Sequence, residues 1–107
     1  MFNNKRYITQ EINNKLSPKL KNKLWEMIEK ARKKTQLDYL QVFNLEAYSV
    51  TIDKGHKYKV WIQKITHFQE EPSFKQLDFL SLDVPINEKI YVIDNKEYST
   101  MLLSREY

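Results

Sequence analysis

The sequence predicts an α+β fold, with one N-terminal amphipathic helix packed on a mostly antiparallel sheet of about five to six strands. Three observations predict it. Ser17-Pro18 opens a segment of helical periodicity, Tyr39 to Phe68 is rich in β-branched and aromatic residues, and two proline-marked breaks cut the remainder into short strands. At 107 residues the chain reads as a single domain, 1–107, with neither an internal repeat nor a linker. Its 41% hydrophobic and 13% aromatic content is well above that of a disordered chain, so it is expected to fold around one core.

Taken in order, Lys5 to Ile12 mixes Tyr7, Ile8, Thr9 and Ile12 with polar neighbours and reads as a short strand. The helix begins at Ser17-Pro18. A serine hydroxyl can cap the free amide protons of the first turn, and proline at the first helical position gives up no hydrogen bond. Leu20, Leu24, Met27, Ile28 and Ala31 then fall on one narrow stripe at about 100° per residue, which faces a core. Charged residues fill the rest of the helix to an end near Lys34, with Glu26–Lys30 and Glu29–Lys33 as i, i+4 pairs worth about 0.2–0.5 kcal/mol each.

Tyr39 to Ile52 and Lys57 to Phe68 form a long hairpin around Asp53-Lys54-Gly55-His56. Pairing Ile52 with Lys57 places Phe43, Leu45 and Ala47 on one face with Tyr58, Val60 and Ile62, and places Tyr48, Val50, Trp61 and Ile65 on the other. Lys64 is then the exception on the first face, marking a bulge or a strand end. The helix can cover one apolar face; the second requires the C-terminal segment, an oligomer partner or a ligand. Glu70-Glu71-Pro72 and Asp83-Val84-Pro85 bracket a strand from Phe74 to Leu82. Ile90 to Ile93 and Tyr98 to Leu103 make a second hairpin, in which an Asn95-Lys96 turn pairs Ile93 with Tyr98 and Ile90 with Met101.

Composition removes much chemistry. With no cysteine there is no disulfide, thiolate metal site or thiol nucleophile, and a lone glycine, Gly55, excludes phosphate loops, dinucleotide fingerprints and nucleophile elbows. No run approaches the ~18 apolar residues of a membrane span, and Met1 to Arg6 lacks a signal peptide's apolar run, so a cytoplasmic protein without membrane contact is expected. His56 and His67 lie eleven residues apart on one strand, about 36 Å when extended, too far to share an ion. Ser99-Thr100 and Glu70-Glu71 have no base placed beside them. The expectation is therefore a non-enzymatic protein without metal or cofactor.

Two binding surfaces stand out. Residues 15–34 carry eight Lys and Arg against Glu26 and Glu29, so the positive charge of a chain whose net is +4 resides on this one helix. On the helix of residues 18–34, Lys19, Lys23, Lys30 and Lys34 line one flank of the apolar stripe, where they could meet phosphates while Trp25 stacks on a base. A solvated face with lysine stems covering the core edge explains the same residues. The surface with more support is the two-sided apolar hairpin. Tyr48, Trp61 and Ile65, with the adjoining Trp25, point to an adaptor, inhibitor or regulator that binds another protein, or to a homodimer formed by strand pairing or sheet packing.

Three stretches also carry a resemblance. They are Lys5-Arg6-Tyr7, the run Leu37-Asp38-Tyr39-Leu40-Gln41-Val42-Phe43-Asn44-Leu45, and the tail Asn87-Glu88-Lys89-Ile90-Tyr91-Val92-Ile93-Asp94 with Ser99 to Leu103 and Glu106-Tyr107. Together they resemble a bacterial family of short uncharacterised proteins, the domain-of-unknown-function family numbered 960. Leu24-Trp25-Glu26 fits the same pattern, whereas the surrounding lysines and the 46–60 hairpin depart from it. The resemblance implies a compact bacterial cytosolic protein and brings no catalytic residue, cofactor or substrate with it.

Overall fold

The computed structural model describes all 107 residues. In chain order the elements are β1 (Lys5–Ile8), α1 (Gln10–Lys15), α2 (Pro18–Arg32), β2 (Leu40–Asp53), β3 (Lys57–Gln69), β4 (Phe74–Leu80), β5 (Glu88–Asp94) and β6 (Tyr98–Leu103), closed by a 3-10 turn at Ser104–Glu106. The six strands form one open sheet in the order β1-β6-β5-β2-β3-β4. β1 runs parallel to β6 and every other pair is antiparallel, so the sheet is mixed.

The N-terminal segment differs from the single strand expected over residues 5–12. β1 stops at Ile8 because Thr9 caps a helix instead: its side-chain oxygen accepts the Ile12 N–H, and Glu11 sits in the first turn where the helix dipole favours an acid. Ile12 is thereby turned into the core. α2 begins where expected, with the Ser17 hydroxyl accepting the Leu20 N–H and Pro18 leading the helix. Its stripe of Leu20, Leu24, Met27, Ile28 and Ala31 is buried, and Trp25 beside it is nearly so. These residues pack with Phe43, Leu45 and Ile65 of the central strands and Ile90, Val92, Met101 and Leu103 of β5 and β6. The i, i+4 pairs give way to other partners. Glu29 binds Arg32 and Arg6, while Lys30 joins Lys23 on Asp78.

The long hairpin carries the most consequential difference. Asp53 pairs with Lys57 and Ile52 with Tyr58, so the loop is Lys54, Gly55 and His56, one residue shorter than expected. Gly55, at φ +88°, supplies the left-handed backbone that this tight turn needs. Because side chains alternate with period two, the change turns β3 over relative to β2. Ile65 and His67 therefore join Phe43 and Leu45 under α2, whereas Val60 and Ile62 join Tyr48 and Val50 on the opposite face. The register runs unbroken from Val42–Phe68 to Asp53–Lys57, so Lys64 marks no bulge. It stands on the outer face, its ammonium 5.5 Å above the Tyr48 ring.

The second hairpin lies two residues along from the expected pairing, with Ile93 opposite Thr100 and Ile90 opposite Leu103. An even shift leaves the faces unchanged. Asp94 and Asn95 fold the turn by accepting the Lys96 and Tyr98 N–H groups, and Lys96 takes the positive φ of 82°. This hairpin extends the sheet beside β2 and does not close over its second face. β5 accompanies β2 only over Leu40–Leu45, and β4 accompanies β3 only over Gln63–Gln69. The rest of the β2–β3 hairpin projects as a two-stranded arm, which accounts for the elongated extents of 54 × 30 × 20 Å. No helix is long and apolar enough to cross a membrane.

Replacing Leu24, fully buried beneath the sheet, with alanine is expected to cost about 2–5 kcal/mol of stability, while Leu77→Ala, half-exposed on the outer face, costs under about 1 kcal/mol. Urea unfolding followed by circular dichroism checks both; equal losses would mean that the outer face is covered.

Candidate functional site

The face under α2 holds an unexpected polar group. Gln41, Gln63, His67 and Gln69 occupy inward positions of β2 and β3 and are buried among apolar neighbours, with Gln76 of β4 beside them. The Gln76 amide donates to His67 Nδ1 at 2.8 Å and to the Met27 carbonyl at 2.9 Å. This leaves the ring proton on Nε2, which donates to Gln41 Oε1 at 2.6 Å. Gln41 in turn donates to Gln69 and to the Asp38 carbonyl, and Gln69 donates to the carbonyls of Gln36 and Pro72. Gln63 serves a second junction, accepting the Ile86 N–H and donating to the Glu46 and Ile86 carbonyls.

No buried side-chain nitrogen or oxygen lacks a partner. The network is thus saturated, and its chemistry is structural. Burial pushes the His67 imidazole down to about 4, and its ring stacks on Phe43 with centroids 4.2 Å apart. Neither ring nitrogen is free to bind a metal or take a proton from a substrate. The sequence signal was available: these glutamines sit at the same alternate positions as Phe43 and Ile65.

The basic helix is also largely engaged. Lys19 donates to the Ser81 carbonyl at 2.8 Å, and Lys23 and Lys30 converge on the Asp78 carboxylate at 2.7 and 3.4 Å. The hydrogen bond from Lys23 holds the Asp78 carboxyl below its ordinary range, against the opposing effect of burial. Lys34, past the end of α2, is exposed. Trp25 lies under the Arg6 guanidinium, 4.7 Å from the ring, so its indole face is already covered. A groove of about 500 Å³ runs between Lys15, Ser17 and Lys19 and the Leu82–Val84 loop, open to solvent, with Lys15, Lys19 and Asp83 as its charged lining. No group of three or more His, Asp or Glu is gathered to hold a metal ion.

What remains is the outer face of the sheet. Tyr48, Val50, Val60, Leu77 and Phe79 are each between 41% and 52% exposed, contiguous across β2, β3 and β4, with the Tyr48 and Phe79 rings 5.8 Å apart. Tyr58 continues the patch along the arm. The four expected interface residues do not share one surface. Tyr48 is on this face; Trp61, opposite Ser49, is exposed on the arm's other side; Ile65 is fully buried; and Trp25 is buried beneath Arg6. The shorter loop is the cause, since it exchanges Trp61 and Ile65 for Val60 and Ile62.

Sheet, helical layer and bare apolar face define an α+β protein of the open-sheet kind, whose exposed apolar surface runs from β4 into the projecting arm. Residues 5–106 match the family described as "Staphylococcal protein of unknown function (DUF960)", and the chain belongs to that family. A crystal structure of a protein of unknown function from Enterococcus faecalis is similar at TM-score 0.71 and 19% identity, over 97% of this chain and 91% of that one. At that identity the likeness shows the fold. No curated protein matches the chain.

The imidazole gives the fold an acid-labile element. Its folded value of about 4 lies below the unfolded value near 6.5, so the stabilising contribution is complete above pH ~6.5 and is lost progressively as pH falls toward ~4. The loss amounts to roughly 3 kcal/mol. Urea midpoints measured between pH 7 and 4 should fall in the native protein, and the component of that slope due to His67 should be absent in His67→Phe. An unchanged slope in the variant would place the acid sensitivity elsewhere.

Proposed function

We propose that this protein is a non-enzymatic binding module that acts by docking another protein onto the outer face of its β2–β3–β4 sheet. The observation that carries this reading is the continuous apolar surface of Tyr48, Val50, Val60, Leu77 and Phe79, which the helices, the C-terminal hairpin and the loops all leave bare. Burying it supplies the driving force of association, about 25 cal/mol per Å² of apolar surface, before the entropic cost of joining two molecules. Tyr48 and Phe79 provide rigid aromatic anchors of the kind that dominate interface energetics. Lys64 and Glu46, paired across β2 and β3 within the patch, supply a polar feature that can orient a partner. An adaptor, inhibitor or regulator is the role such a surface supports, since the molecule gathers no nucleophile, base and substrate cleft in one place.

The reading favours protein over nucleic acid because the helix lysines best placed for phosphates, Lys19, Lys23 and Lys30, already bind groups of their own chain. A photo-crosslinking residue placed at Val60 or Leu77 should yield discrete covalent adducts with protein in the native host, while one at Lys34 yields none. Val60→Glu combined with Leu77→Glu should abolish the adducts given by a photo-crosslinking residue placed at Tyr48 and shift the unfolding midpoint only slightly, both sites being exposed. Adducts that form equally at Lys34, or that survive the double substitution, would overturn the docking face.

A further inference from the structure

We infer that one occupant of the arm is a second copy of this chain, joined along the outer edge of β2 by antiparallel pairing of Tyr48–Ile52 with itself about a two-fold axis at Val50. The inference rests on the arm being a protein-contact surface and identifies one partner. Tyr39 O accepts from Asp94 N and Ala47 N donates to the Asn87 side chain, so odd-numbered residues of β2 turn their amide groups away from β3. Glu46 O turns the other way, meeting the Gln63 amide on the β3 side. Beyond Ala47, the N–H and C=O groups of Ser49 and Thr51 therefore point off the edge, where β5 no longer reaches.

Edges of this kind are templates for another strand unless charge or coverage blunts them. The free stretch of β3 carries Lys57 and Lys59, which oppose such pairing. Tyr48-Ser49-Val50-Thr51-Ile52 carries no charge, and β-branched residues alternate with hydroxyls along it. A two-fold axis at Val50 sets Ser49 opposite Thr51 of the second copy, and these are the residues whose backbone groups face outward, so each pair can exchange two hydrogen bonds. Tyr48 meets Ile52, an aromatic–β-branched pair, and Glu46 lies opposite Lys54, a pair of opposite charge. Asn87, already bound at Ala47, ends the hydrogen-bonded ladder there and leaves Glu46 and Lys54 as a side-chain pair just beyond it. The product is a four-stranded ribbon with Tyr48, Val50 and Ile52 of both copies side by side on its apolar face.

Sedimentation equilibrium of the full chain over a range of concentrations tests the inference. The native protein should dimerise reversibly. Thr51→Pro removes an outward N–H that the β2–β3 ladder does not use, so it should leave the circular dichroism intact and raise the dissociation constant about ten- to thirtyfold, the amide being used twice by symmetry. Lys54→Glu in the turn should weaken the dimer by charge repulsion, and adding Glu46→Lys should restore it. A native protein that stays monomeric, or a dimer indifferent to Thr51→Pro and to the charge reversals, overturns the inference. If Thr51→Pro perturbs folding, the charge-reversal pair alone decides. A monomer that still crosslinks other proteins through Val60 and Leu77 would remove this partner and leave the docking face standing; a monomer without such adducts would remove both.

Discussion

The structure depends on a mismatch of length between its main helix and its longest strands. The fifteen residues of α2 span about 22 Å, whereas the fourteen residues of β2 extend about 46 Å. One helix laid on such a strand seals only the half where β5 and β4 also flank it, and the remainder must project. With α1 placed beside β6 on the same side, no helix is left to cover the other face of the sheet. Sheets of this type tolerate one solvated face when its residues are polar. Here that face carries Tyr48, Val50, Val60, Leu77 and Phe79, and this departure from the usual pattern is the observation on which the proposed docking rests.

Beneath α2 the chain fixes the base of the arm with polar groups rather than with additional apolar bulk. Gln41, Gln69 and Gln76 join β2, β3 and β4 to one another and to the 36–38 and 70–72 loops, with His67 at the centre. Buried glutamines are costly unless every donor and acceptor is met, and here every one is. A one-residue slip of either strand would carry Gln41 or Gln69 to the outer face and leave carbonyls and amides unpaired in the core. The network therefore holds the register from which the arm emerges, and the arm's exposed pattern of side chains follows from that register.

Much of this was readable from residue order. Ser17-Pro18 and the stripe from Leu20 to Ala31 located the main helix, and the strand boundaries fell within a few residues of those observed because β-branched and aromatic runs end at prolines or at the Gly55 turn. The surplus of apolar sheet was visible too. Which residues compose it was not, because face assignment turns on loop length, and four turn residues or three cannot be told apart from Asp53-Lys54-Gly55-His56 alone. The short helix α1 was obscured by the strand-like character of Tyr7, Ile8 and Ile12; the Thr9 cap is the local feature that decides against a longer strand. The partners of the helix lysines were not readable either, since Asp78 and Ser81 lie some fifty or sixty residues away and reach α2 only through the pairing of β4 with β3.

Residue-resolved amide hydrogen exchange on the full chain, at low and at high protein concentration, bears most directly on whether the arm is left bare by its own chain and covered only by association. The N–H groups of Val50 and Ile52, turned toward β3, should be protected throughout, while those of Ser49 and Thr51 should exchange freely in dilute solution and become protected as the protein is concentrated. Protection of Ser49 and Thr51 already present in the dilute monomer, or free exchange that persists at every concentration, would contradict it.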